Sequence, residues 1–153
     1  MRYVAIGDSV TEGIGDELPD GTARGWADLV AECLGRTGEL VHYANLAVRG
    51  RLLESIVREQ VPAALGLTPT PTLMTFNGGG NDLMRPSVEL RQLLELTELA
   101  VRQVLDAGVR RLLLACADPS DRLPFGRIIH RRGAALTDAV AELAARHRVT
   151  FVN

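Results

Sequence analysis

The chain has 153 residues, 46% of them apolar and 24% charged, the length and mix of one globular domain spanning 1–153 rather than of two. Nineteen acidic against seventeen basic side chains leave a formal charge of −2, so phosphate backbones and anionic lipid meet no general attraction and nucleic-acid binding is not expected. No apolar run is long enough for a membrane span, and Met1-Arg2-Tyr3-Val4 enters a strand pattern at once with no room for a signal peptide, so the expectation is a cytoplasmic protein.

In chain order, residues 3–7 form a short apolar run ended by Gly7-Asp8-Ser9, which predicts a buried strand. A stretch rich in Gly, Asp and Pro follows over 12–24. Residues 25–35 then carry apolar side chains at helical spacings, with Trp26 at the start and Cys33 inside. Residues 40–46 predict a second strand and 51–60 a second helix. Thr72 to Phe76 predicts a third strand, followed by Gly78-Gly79-Gly80-Asn81-Asp82.

The helix predicted over 87–107 is apolar around much of its circumference, which core packing explains, with a dimer face as the alternative; oligomeric state is not legible. Residues 112–116 predict a fourth strand and about 124–146 a further helix. A loop over 117–126, holding Pro119 and Pro124, joins them, and 149–152 predicts a fifth strand. Neither Cys33 nor Cys116 has a CxxC partner or a neighbouring His, so both are read as reduced core residues and no metal site or cofactor is expected.

Strand and helix alternate throughout. That calls for parallel strands joined by right-handed crossovers, with helices on both faces. The expected fold is α/β, a three-layer α/β/α sandwich around a flavodoxin-like five-stranded parallel sheet of order 2-1-3-4-5. In that order the carboxyl ends of the first three strands are neighbours, and open α/β sheets bind ligands at that edge. The loops 12–24 and 117–126 leave the same edge and are read as a pocket rim.

Three polar or glycine-rich signatures converge there: Gly7-Asp8-Ser9, Asn45 to Gly50, and Gly78 to Asp82. They bring a hydroxyl, backbone N–H groups and an amide together, the parts of an acyl-transfer site. Each has a plainer reading. Ser9-Val10-Thr11-Glu12 fits a capping box, so the Ser9 hydroxyl is either a nucleophile or a helix cap. Gly50 offers an unobstructed N–H or merely starts a helix, and Asn81 donates to an oxyanion or merely forms a turn. Trp26 lines the pocket or packs on the core.

These blocks resemble those of the SGNH hydrolases, also called GDSL-type lipases or esterases. Gly7-Asp8-Ser9-Val10-Thr11-Glu12-Gly13 is similar to the first block, Asn45-Leu46-Ala47-Val48-Arg49-Gly50 to the second and Gly79-Gly80-Asn81-Asp82 to the third, in order and spacing. The likeness extends through Arg24-Gly25-Trp26-Ala27-Asp28 and Asn81-Asp82-Leu83-Met84-Arg85-Pro86, which look like a bacterial, actinomycete-type branch. It implies Ser9 as the nucleophile and an oxyanion hole made by the Ser9 and Gly50 backbone N–H groups and the Asn81 side chain, with Asp8, Asp82 and Trp26 as supporting or pocket residues. Ala47 stands where many members have glycine, a change of one methyl.

The departure is an absence. The family's last block, Asp-x-x-His, supplies the base and the carboxylate that orients it, and none occurs in these 153 residues. Glu39 precedes His42 by three positions, but His42 is read as a residue buried within the second strand. His147 belongs to a helix end, and His130, with Arg127, Arg131 and Arg132, is read as part of a solvated basic face. The expectation is therefore a chain truncated at its carboxyl end, with the base beyond residue 153 and the 1–153 chain inactive alone.

Two functions follow. One is a serine ester hydrolase acting on a small-molecule acyl ester through an acyl-serine intermediate. The other is a catalytically silent module that binds acyl or carbohydrate groups. A phosphoryl-transfer or nucleotide domain fails, because Asp8-Ser9-Val10 lacks the second acid of a DxD motif and Gly13-Ile14-Gly15 lacks the third glycine of a dinucleotide loop.

Overall fold

The computed structural model describes residues 1–116 and 126–152. Its strands are β1 Arg2–Ile6, β2 His42–Asn45, β3 Leu73–Asn77, β4 Arg111–Ala115 and β5 Thr150–Val152. All pair in parallel, in the order β2-β1-β3-β4-β5. Val4 and Ile6 of β1, Met74 and Phe76 of β3, and Leu112 and Leu114 of β4 join one buried cluster, while Tyr3, Ala5, Leu73 and Leu113 between them face the other side. Strands apolar at successive positions need cover on both faces, which parallel strands with crossover helices provide.

The helices are α1 Ser9–Glu12, α2 Trp26–Gly35, α3 Leu53–Ser55, α4 Val61–Leu65, α5 Gly80–Leu83, α6 Leu90–Asp106 and α7 Gly126–His147, with a π-helical turn Ile56–Gln60 joining α3 to α4. Ile56, Val61, Leu93, Val104 and Leu143 cover one face of the sheet. Ala27, Trp26 and Val30 of α2 cover the other, beside the stacked rings of Tyr3 and Tyr43, whose centroids are 5.0 Å apart.

Several expectations are corrected. The helix read over 51–60 continues to Leu65, past Pro62. A proline ring inside a regular helix collides with the carbonyl four residues back; here the turn ahead of it is widened, and the Val61 N–H donates to the Ile56 carbonyl five residues back. Cys33 is exposed on α2, not in the core, because that helix buries Ala27 and packs Trp26 and Val30 on a different side. His42 is exposed rather than buried, since it opens β2, an edge strand, at the amino end of the sheet opposite Arg2. In α6 the buried residues are Leu93, Thr97, Ala100, Val101 and Val104, with Leu90 and Leu99 exposed, so its apolar surface is a stripe. Of the loop 117–126, residues 117–125 lie outside the described residues.

Candidate active site

The carboxyl ends of β2, β1 and β3 are adjacent, and each leads into one of the singled-out segments. At the end of β1, Asp8 and not Ser9 caps α1: its Oδ1 accepts from the Val10 N–H at 3.2 Å. Ser9 is the first helical residue, half-buried, and its hydroxyl takes part in no hydrogen bond among the described residues. Glu12 does not reach back to the cap. Its carboxylate accepts from the Arg49 backbone N–H and from the Arg49 guanidinium, with Nη2 to Oε1 at 2.9 Å. The capping-box reading of Ser9 to Glu12 is thereby corrected, because a better donor from the second segment claims the glutamate.

The second segment extends the ladder of β1. Leu46 N–H donates to the Ala5 carbonyl at 2.9 Å and Val48 N–H to the Gly7 carbonyl at 3.2 Å. Asn45 holds both sides of this junction, donating through Nδ2 to the Thr11 carbonyl at 2.8 Å and accepting at Oδ1 from the Ala47 N–H at 3.1 Å. Gly50 is exposed with φ of +74°, a left-handed conformation that side-chain-bearing residues rarely adopt. It starts no helix, since α3 begins at Leu53.

From the end of β3, Asn81 Nδ2 donates to the Arg51 carbonyl at 3.0 Å and lies 3.4 Å from Asp8 Oδ2. The first and third segments therefore meet side chain to side chain. Asp82 is buried and turned away, its Oδ2 accepting from the Leu53 N–H at 2.9 Å to fix the start of α3. Burial pushes both carboxyls above the ordinary aspartate range, and for Asp8 the nearby Asp82 adds to the rise while the Val10 N–H opposes it.

Two supporting side chains were missed in the sequence. Gln60, from the π-helical turn, grips Gly7 at both backbone atoms: its Oε1 accepts from the N–H at 2.8 Å and its Nε2 donates to the carbonyl at 2.9 Å. A polar residue at helical spacing from Leu53, Ile56 and Val57, on the face that packs inward, was the available signal. Arg132 donates to the carbonyls of Leu83 at 2.6 Å, Arg85 at 3.0 Å and Val88 at 3.0 Å, binding together the chain that leaves α5. Its place on a solvated basic face is corrected, because helix α7 aims it at the backbone carbonyls at and after the end of α5.

His147 ends α7 with Nε2 3.1 Å from Glu98 Oε1, and α7 leads into the amino end of β5. His42 also stands at the amino edge, while His130 is exposed in the first turns of α7. Trp26 is half-buried, packing on the core and lining an apolar groove of about 360 Å³ with Val10, Val30, Leu113, Cys116 and Val152. Burial in that region pushes the Cys116 thiol up to about 11. No group of three metal-ligating side chains gathers among the described residues, and no described helix is long and apolar enough to cross a membrane.

Against solved structures the chain resembles TesA, at 22% identity over 99% of this chain and 77% of that one, with a TM-score of 0.77. It resembles AlinE4, an SGNH-hydrolase family esterase, at 18% identity over 99% and 74%, with a TM-score of 0.77. A structure of the psychrotrophic esterase EstA from Pseudoalteromonas sp. inhibited by monoethylphosphonate matches at 15% identity over 99% and 76%, with a TM-score of 0.74. At these identities the likeness concerns the fold. No curated protein matches the chain. The model of the GDSL-like Lipase/Acylhydrolase family matches residues 5–153, from within β1 through all three strand-end segments. On that match, the chain belongs to the GDSL-like lipase/acylhydrolase family of hydrolases.

Proposed function

We propose that the chain is a serine ester hydrolase with Ser9 as nucleophile. The observation that carries this is the cap at the end of β1: Asp8 takes the Val10 N–H, and the Ser9 hydroxyl is left without that structural duty beside the Asn81 amide's partner. Ser9 Oγ attacks the carbonyl carbon of a small acyl ester as a base takes its proton. The ester C–O bond then breaks, the alcohol leaves with a proton, and water releases the acid from the acyl-serine. The Ser9 and Gly50 N–H groups and Asn81 Nδ2 receive the developing oxyanion, with the long contact from Asn81 to Asp8 giving way to the stronger acceptor.

Asp8 holds α1 and faces Asn81, Asp82 fixes α3, and Trp26 with its groove contacts the acyl or alcohol part. The base in this reading is the family's Asp-x-x-His, for which residues 1–153 hold no match. A second reading is a module that binds acyl or carbohydrate groups at the N–H cluster without hydrolysis.

One experiment separates them. Protein expressed from the complete gene is treated with a fluorophosphonate and a p-nitrophenyl ester, and the label is mapped by mass. The expected result is turnover with the label on Ser9, both lost in Ser9→Ala and both retained in His130→Ala. A label elsewhere, or turnover surviving Ser9→Ala, removes Ser9 from the mechanism; ligand binding with no turnover favours the silent module.

A further inference from the structure

The turn that presents Ser9 is held from behind by Gln60. The side chain is only 6% exposed and comes from the middle of the crossover connecting β2 to β3. Its amide meets both polar atoms of Gly7, the residue between the last one of β1 and the Asp8 cap. Only a side chain with a donor and an acceptor on one planar group makes both bonds at once.

The Gly7 carbonyl is also where the second segment is anchored, because it accepts from the Val48 N–H at 3.2 Å. One carbonyl thus receives Gln60 Nε2 and Val48 N–H together. Ser9 lies two residues after this point and Gly50 two residues after Val48. The space around Gly7 is closed: a Cβ placed there would lie 2.6 Å from Thr11 Oγ1 and 2.7 Å from the Asn77 carbonyl. Gly7 therefore touches the ends of β1 and β3, the second segment and the π-helical turn.

Gln60 closes the turn Ile56–Gln60, which is wound wider than a regular helix, and is buried there with Ile56 and Val57. Wider turns of this kind recur at functional sites.

We propose that Gln60 is a positioning residue, fixing the spacing between the Ser9 hydroxyl and the Gly50 N–H by clamping Gly7, whose carbonyl also anchors the second segment through the Val48 N–H. This rests on the assignment of Ser9 and Gly50 to the reaction. Gln60 touches no reacting atom. Its loss lets two halves of the site drift relative to each other, and displacements of about 1 Å at reacting groups cost on the order of 10²-fold in rate.

The test compares Gln60→Leu and the nearly isosteric Gln60→Met with wild type, each expressed from the complete gene. Both remove the two bonds to Gly7, and Gln60→Met keeps the length and volume of the side chain without a polar group to meet the Gly7 N–H or carbonyl. The expected result is a fall in kcat on a p-nitrophenyl ester of about 10- to 100-fold with KM little changed, together with faster amide hydrogen exchange at Gly7 and Val48. A merely space-filling side chain would leave Gln60→Met at wild-type kcat. The two assignments fail differently. Turnover persisting in Ser9→Ala overturns the nucleophile reading, whereas wild-type kcat and wild-type exchange in either folded Gln60 variant overturns the clamp.

Discussion

The Asn81 amide, carried past the end of β3, lies 3.4 Å from the carboxylate of Asp8, carried past the end of β1. The bond is long, while the second donation of the same nitrogen, to the Arg51 carbonyl at 3.0 Å, is of ordinary length. Asn81 is thus oriented by its short bond and keeps its other hydrogen on a weakly held acceptor.

An amide arranged in that way acts on charge that appears in the transition state. Asn81→Ala is expected to lower kcat by about 10²-fold or more while KM changes little. Steady-state kinetics on a soluble ester checks this, and an unchanged kcat takes Asn81 out of the oxyanion assignment.

Asp8 gives a pH prediction of definite sign. Burial holds its folded-state carboxyl above the unfolded value of 3.8, so the folded protein binds the proton more tightly. Ionisation then costs folding free energy as pH rises from that value through the raised one. Asn keeps a side-chain oxygen for the Val10 N–H and does not ionise. Relative to wild type, the unfolding temperature of Asp8→Asn is expected to rise between about pH 3 and pH 7. A trend in the opposite direction would contradict the burial argument.

For Glu12 the sign reverses. Its hydrogen bonds to the Arg49 side chain hold the carboxyl below its ordinary 4.5, so its contribution is present above that pH and is lost as pH falls through the lowered value. The pair is at the surface and its effect is modest. Glu12→Gln should show a small drop in unfolding temperature at neutral pH that closes in acid and shrinks in high salt, as thermal melts across both variables would reveal.

Glycines at the two ends of the site separate crowding from backbone strain. Gly7→Ala forces a methyl against Thr11 Oγ1 and the Asn77 carbonyl, for an expected loss of about 1–3 kcal/mol in denaturant unfolding. At Gly50 an added Cβ meets nothing within 4 Å, so Gly50→Ala bears only the left-handed φ, roughly 1–2 kcal/mol. Equal stability of Gly7→Ala and wild type would mean that the approach of β1 to Asn77 is looser than described.

The sequence by itself determined the sheet. Val4 and Ile6 alternating with Tyr3 and Ala5 leave no polar face, and strands of that kind, alternating with helical periods, have few arrangements that bury both sides. That in turn set Ser9, Gly50 and Asn81 after three neighbouring strand ends. What the tertiary structure decided was which partner each polar group takes. Ser9 and Glu12 satisfy a capping pattern locally, yet Glu12 pairs with Arg49, 37 residues away, and Asp8 becomes the cap. Gln60 looks like one polar residue in a helix until packing of the β2–β3 crossover against β1 brings it onto Gly7, 53 residues back in the chain. Local pattern specifies which hydrogen bonds a group is able to make; the choice among them depends on distances that exist only once the strands have paired.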